Sequence, residues 1–179
     1  MRTLRILLVY LFAMGLFFCV IPVLTIGIGH FLDPMLGLPQ LDFGPAMLIL
    51  GGLALGLGLS WMAWSWYSLL SLGKGHPQEA FGVSLAPSTA RLVTAGPFKY
   101  TRNPMVFGYL ITLAGLGCAW RSIGASLITP VIGGVLFVVY AKLFEERSLE
   151  KRFGTQYTLY RYRVPLLVPR YWRDRVAEE

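Results

Sequence analysis

Residues Arg91 to Gly108 read RLVTAGPFKYTRNPMVFG, with a Gly-Pro step, an Asn-Pro step, and cations and aromatics between them, all set between long apolar runs. A chain that only had to turn at a membrane surface would need a short polar loop here, so the stretch is read as one that binds something. A second polar cluster, from Glu145-Glu146 through Arg163, closes the last apolar run and is the natural partner of the first.

The setting is a membrane. With 55% hydrophobic residues over 179 positions, the chain is too apolar for an ordinary soluble domain. The net charge of +7 does not point to nucleic acid, because the basic residues sit at the borders of apolar runs rather than along one soluble face. Cys19 and Cys118 lie inside apolar runs without metal-ligand spacing and are expected as small buried hydrophobes.

The predicted architecture is all-α: one integral-membrane helical bundle of about four spans, the last two forming a tight hairpin, followed by a cytoplasmic C-terminal extension. The first span runs from Leu4 to about Gly29 with a kink at Pro22, and is kept as a helix rather than a cleaved signal. His30 to Gly44 carries only acidic charge, in Asp33 and Asp42, and is expected as a non-cytoplasmic interfacial loop. Pro45 opens a second span to about Leu72. In it the pairs Gly52/Gly56 and Ala54/Gly58 predict close helix packing, and Trp61, Trp64, Trp66 and Tyr67 an aromatic belt. Residues 1–72 thus form an N-terminal helical pair, and 73–179 a binding loop, a hairpin and a tail.

The loop from Gly73 to Arg102 holds Lys74, Arg91, Lys99 and Arg102 against one acid, Glu79, and is therefore placed in the cytoplasm. Pro104–Trp120 and Ile123–Phe144 make the hairpin around Arg121-Ser122, with Pro130 kinking its second arm. The helical pattern continues past Phe144, with Leu149 and Phe153 on one face, until Gly154 ends it. Tyr157, Tyr160 and Tyr162 alternate with Arg161 and Arg163 in a tail expected along the membrane surface. Both termini fall on the cytoplasmic side, and the small size suggests a prokaryotic cell membrane.

No phosphate-cradling glycine loop or Gly-x-Ser-x-Gly elbow is present, and His30 and His76 are too isolated to form a metal site. Arg91, Lys99, Arg102 and Asn103 supply donors for a carboxylate; Glu145 and Glu146 accept from an ammonium or from ribose hydroxyls. Phe98, Tyr100 and Tyr157 offer faces for a planar ring or a cation. Taken singly, these residues read as membrane-border anchors or as helix-surface pairs of Glu145 and Glu146 with Lys142 or Lys151. Their concentration at both ends of one hairpin argues for a site.

The stretch LVTAGPFKYTRNPMVFG, followed by EERSLEKRFGTQYTLYRYRVP, resembles the signature of the isoprenylcysteine carboxyl methyltransferase and phospholipid methyltransferase superfamily over Arg91 to Pro169. The resemblance implies S-adenosyl-L-methionine as methyl donor and a lipophilic or lipid acceptor from the bilayer. It places Arg91, Leu92, Val93, Phe98, Asn103, Pro104, Met105, Val106 and Glu145 along the cofactor, and Glu145, Glu146 and Arg102 in the catalytic role, one of the two glutamates serving as base for a protonated acceptor. Three positions depart from the family pattern: Asn103 stands for histidine, while Phe98 and Val106 stand for tyrosines. An arginine expected to meet a substrate carboxylate falls on Ala141, with Lys142 beside it but about 100° round the helix. Two alternatives remain: an NADPH-dependent reductase of sterol-like enones, and a non-catalytic membrane protein.

Overall fold

The structure, a computed structural model, describes residues 2–41, 44–73, 79–80, 83–84 and 91–170. Asp42, Lys74 and His76, named above, lie outside the described residues. The chain is built from long helices. Helix α1 (Arg2–Gly15) runs through a π-helical turn, Leu16–Val20, into α2 (Ile21–Met35), and α3 spans Pro45–Gly73. After a two-residue antiparallel pair, β1 (Glu79–Ala80) with β2 (Val83–Ser84), come a 3-10 turn at Gly96–Lys99 and α4 (Pro104–Ala119). A π-helical turn at Gly124–Ile128 leads into α5 (Thr129–Tyr140), and another at Ala141–Glu145 joins α5 to α6 (Glu146–Phe153). Helix α7 (Thr155–Arg163) starts directly after Gly154.

Among the described residues, three helical stretches are long and apolar enough to cross a membrane: Leu11–Met35, Pro45–Gly73 and Gly124–Phe153. Helix α4 has 16 residues and rises about 24 Å, below the ~30 Å of a hydrocarbon core. Side chains such as Val23, Leu53 and Leu136 stand roughly two-thirds exposed, which suits contact with lipid tails. Cys19 is exposed in this outer layer and Cys118 half-buried, so neither is the buried hydrophobe expected.

Lipid removes the hydrophobic drive for helix pairing, so close backbone approach must supply it. Helices α3 and α4 run antiparallel with glycines at the contact. A Cβ on Gly58 would lie 2.5 Å from the Gly108 carbonyl oxygen and 2.7 Å from the Thr112 nitrogen, and one on Gly51 would lie 2.8 Å from the Gly115 carbonyl. Ala54 joins this seam against Gly115, as the Ala54/Gly58 spacing predicts. Gly52 and Gly56, the other expected pair, meet nothing within 4 Å. They sit on the outward side, because the packed stripe runs through Gly51, Ala54 and Gly58.

Both proline kinks are resolved in the same way. Within a π turn the N–H of residue i donates to the carbonyl of residue i−5, as Ile21 does to Leu16 and Thr129 to Gly124. The next donors would be Pro22 and Pro130, which have no N–H. Instead the Tyr109 hydroxyl donates to the orphaned Phe17 carbonyl at 2.6 Å, and the Thr129 hydroxyl to that of Ala125 at 3.3 Å. The first proline therefore ties α4 to the N-terminal helix.

At one end of the bundle the first helix continues to Met35, past the expected boundary at Gly29. This extension delivers Asp33, whose carboxylate accepts from the Gly124 N–H at 2.7 Å, while the Ser122 hydroxyl accepts from Ala125 at 2.9 Å. Leu41 donates to the Arg121 carbonyl, so the segment after α2 also closes over the turn between α4 and the Gly124 helix. These bonds satisfy the free N–H groups at that helix start.

The seam gives a direct test. Gly58→Ala should lower stability in detergent by about 1–3 kcal/mol, because the methyl meets backbone that cannot yield. Gly52→Ala and Gly56→Ala should be neutral or slightly stabilising, as thermal melts of the three variants would show.

Candidate functional site

At the opposite end, the two polar clusters meet. The 3-10 turn at Gly96–Lys99 is pressed against the end of α3, where a Cβ on Gly96 (φ +64°) would come 2.7 Å from the Ser68 hydroxyl. From here to Pro104 the chain is laced to the segment after α7. Arg102 N–H donates to the Pro165 carbonyl at 2.9 Å, Arg170 N–H to the Tyr100 carbonyl at 3.0 Å, and the Asn103 amide to the Leu166 carbonyl at 3.2 Å. The fully buried Thr101 hydroxyl bridges the Leu166 and Leu167 carbonyls, and Tyr160 caps the Phe98 carbonyl at 2.7 Å. The tail folds back as a strap over the loop.

An ion pair stands at the centre of this lacing. Arg102 Nη1 contacts Glu146 Oε1 at 2.5 Å and the Tyr157 hydroxyl at 3.2 Å, and the side chains of Arg102 and Glu146 are each only 10% exposed. Arg161 adds a longer contact to the other Glu146 oxygen, 3.6 Å, and a 2.7 Å bond to Glu150. Glu146 therefore pairs with cations from two other elements, and neither Lys142 nor Lys151 is its partner. The Arg102 Nε is buried with no hydrogen-bond partner among the described residues.

Beneath the pair, Tyr157, Tyr160 and Val164 form a small core on which Leu92, Leu149 and Phe153 pack. Leu149 and Phe153 share a face as expected, and Gly154 breaks the helix at φ +54° so that α7 can turn its tyrosines inward. Burial pushes both phenols above their ordinary value; for Tyr157 the Arg102 guanidinium pulls part of the way back.

The residues expected along a cofactor divide by exposure. Arg91 is exposed and without a side-chain partner among the described residues, whereas Leu92, Asn103, Met105, Val106 and Glu145 are half-buried. Val93, Phe98 and Pro104 are buried. Phe98 and Tyr157 thus do not offer open ring faces, and Tyr100 stacks into a cluster with Trp61 and Trp64 at ring separations of 6.4 Å. Ala141 is fully buried and Lys142 exposed. Sequence reasoning passed over Thr101, Tyr160 and the tail carbonyls of Pro165 to Leu167. A Thr-Arg-Asn triplet before a helix-opening proline was their one visible signal.

A profile of the family described as phospholipid methyltransferase matches residues 46–156. Methanethiol S-methyltransferase 2 of Bradyrhizobium diazoefficiens is 26% identical over 136 residues, covering 69% of this chain and 49% of that protein. The chain thus spans about half the length of the curated relative it matches. No solved structure matches. The profile includes both halves of the ion pair, Arg102 and Glu146, and stops one residue before Tyr157.

Removing Arg102 should be costly out of proportion to its contacts, because it strands a buried carboxylate. Arg102→Met is expected to destabilise by about 3–5 kcal/mol, and Arg102→Met with Glu146→Leu to recover much of that loss in a denaturation assay. Tyr160→Phe should cost about 1–3 kcal/mol by orphaning the Phe98 carbonyl. With both phenols raised when folded, the stability they contribute is complete below about pH 10 and is lost as pH climbs through their folded values. In an alkaline absorbance titration, Tyr160→Phe should remove one of the late-ionising phenols.

Proposed function

Because this chain belongs to the phospholipid methyltransferase family, we propose that it is an integral-membrane methyltransferase that uses S-adenosyl-L-methionine and passes the methyl group to a lipophilic acceptor reaching the site from the bilayer. One observation carries the reading: the matched span contains two polar clusters 44 residues apart in sequence that meet through Arg102 and Glu146 at one end of an apolar bundle.

The donor set fits the cofactor's polar groups. Arg91 has a free guanidinium for a carboxylate, Asn103 keeps its amide oxygen and one N–H after bonding Leu166, and Glu145, half-buried beside Tyr157, suits an ammonium or ribose hydroxyls. Leu92 is held on the Tyr157 core, which keeps Arg91 at the same end. When bound, S-adenosyl-L-methionine would supply a methyl group activated by a sulfonium for in-line displacement.

The protein's part is alignment and shielding. Val93, Phe98 and Pro104 form the dry wall, and the tail strap fixes Asn103. Glu146 is held by Arg102 and Arg161, and Glu145, half-buried beside the Tyr157 hydroxyl, is the carboxylate assigned here to take a proton from a thiol or ammonium acceptor. With the buried Ala141 where the family resemblance puts an arginine, an uncharged or amine nucleophile suits the site better than a prenylcysteine carboxylate. The relative named for methanethiol makes a thiol the first acceptor to try.

Four crossings complete this reading, with α4 as the short fourth one inside the shell of the others. The cations Arg91, Lys99 and Arg102 at the site end, against Asp33 at the other, support a reading with the site and both termini on the cytoplasmic side of a prokaryotic membrane.

Calorimetry on the detergent-solubilised protein should show sub-millimolar binding of S-adenosyl-L-methionine, weakened about tenfold or more by Asn103→Ala or Glu145→Gln. Labelled methyl transfer to methanethiol, longer thiols and phospholipids would identify the acceptor. Absence of both heat and transfer would refute the reading, and NADPH-dependent reduction of an enone would replace it.

A further inference from the structure

Beside the strap lies a half-open pocket of about 200 Å³, the room of roughly seven waters at about 30 Å³ each. Its lining includes four arginines, Arg102, Arg161, Arg163 and Arg170, together with Val164 and Pro165. They come from three stretches of chain: the loop before α4, the end of α7, and the segment beyond it. Among the described residues the carboxylates that answer them are Glu146, for Arg102 and Arg161, and Glu150, for Arg161. Arg163 and Arg170 have no side-chain partner among the described residues, and Arg102, nine-tenths buried, keeps an unpaired Nε. The backbone bonds Arg102 to Pro165 and Arg170 to Tyr100 hold the opposing walls.

Converging like charges around a shaped void repel one another unless an anion lies between them. Guanidinium forks arriving from several directions match a tetrahedral group with three or four oxygens better than a planar carboxylate, which one or two forks saturate. We propose that this cavity is a binding site for a phosphate ester, separate from the methyl-transfer site and joined to it through Arg102. Leu159, Tyr162 and Val168, on the same segments, are 57%, 88% and 71% exposed, apolar surface of the kind that meets lipid at a membrane border. A lipid phosphate reaching in from the bilayer surface and a free phosphate from solution offer the same chemistry. Either would neutralise the cluster and fasten the strap over Asn103.

The test uses the full chain in detergent micelles. Native mass spectrometry is run during titration with phosphatidylglycerol, with diacylglycerol as the phosphate-free control, and melting temperature is followed with inorganic phosphate against chloride at equal ionic strength. Wild type should retain one phosphatidylglycerol or be stabilised by phosphate, the arm that responds naming the source. Arg163→Ala with Arg170→Ala should weaken that response about tenfold or more, and the double lysine variant should fall between. Without added anion the alanine variant should melt no lower than wild type, since it loses repulsion rather than contacts. Binding of neither probe above its control, or equal binding by wild type and the alanine variant, would overturn the proposal.

Discussion

The structure depends on one buried ion pair, Arg102 with Glu146. Each partner alone would be an expensive guest at the edge of an apolar bundle, and together they are supported by the Tyr157 hydroxyl and Arg161. The pair fixes where the loop crosses the end of the long helix. Glu146 holds the loop in place, while Glu145, one residue earlier, lies half-buried at the end of a π-helical turn. Such turns often occur at functional positions, because the extra residue re-aims the side chains around it.

The rest of the bundle gives this end its rigidity. Glycines along the seam of α3 and α4 let two backbones touch, and the hydroxyls of Tyr109 and Thr129 repair the carbonyls freed by Pro22 and Pro130. Asp33 and Ser122 complete the far turn. In a membrane each of these polar repairs matters more than its number suggests, because no water is present to make it instead.

The helices were legible in the apolar runs, and the two motifs in their charges and prolines. Which face of a helix packs was not legible: a membrane helix is apolar all round, so Gly52 and Gly56 look no different in sequence from Gly51 and Gly58. The end of the first helix at Met35 was hidden for a related reason, since Asp33 and Pro34 read as loop until the Gly124 N–H supplies Asp33 with a partner. The pairing of Arg102 with Glu146 crosses 44 residues and leaves no local trace. The strap was harder still, because Pro165, Leu166 and Leu167 contribute through backbone carbonyls, which any residue carries. Of the candidate site, the sequence pattern therefore indicated the residue types and the end of the bundle, while only the structure separates the buried Val93, Phe98 and Pro104 from the half-buried Asn103 and Glu145 and the exposed Arg91.

The central claim is that Arg91 to Val106 and the Glu145 end of the long helix enclose one cofactor. Ultraviolet cross-linking of labelled S-adenosyl-L-methionine to the membrane-embedded protein, followed by peptide mapping, tests it most directly. The account predicts label on peptides containing Arg91–Val106 or Glu145, competed away by the demethylated product. Label confined to the Pro45–Gly73 helix or the N-terminal helix, or label that the product does not displace, would contradict it.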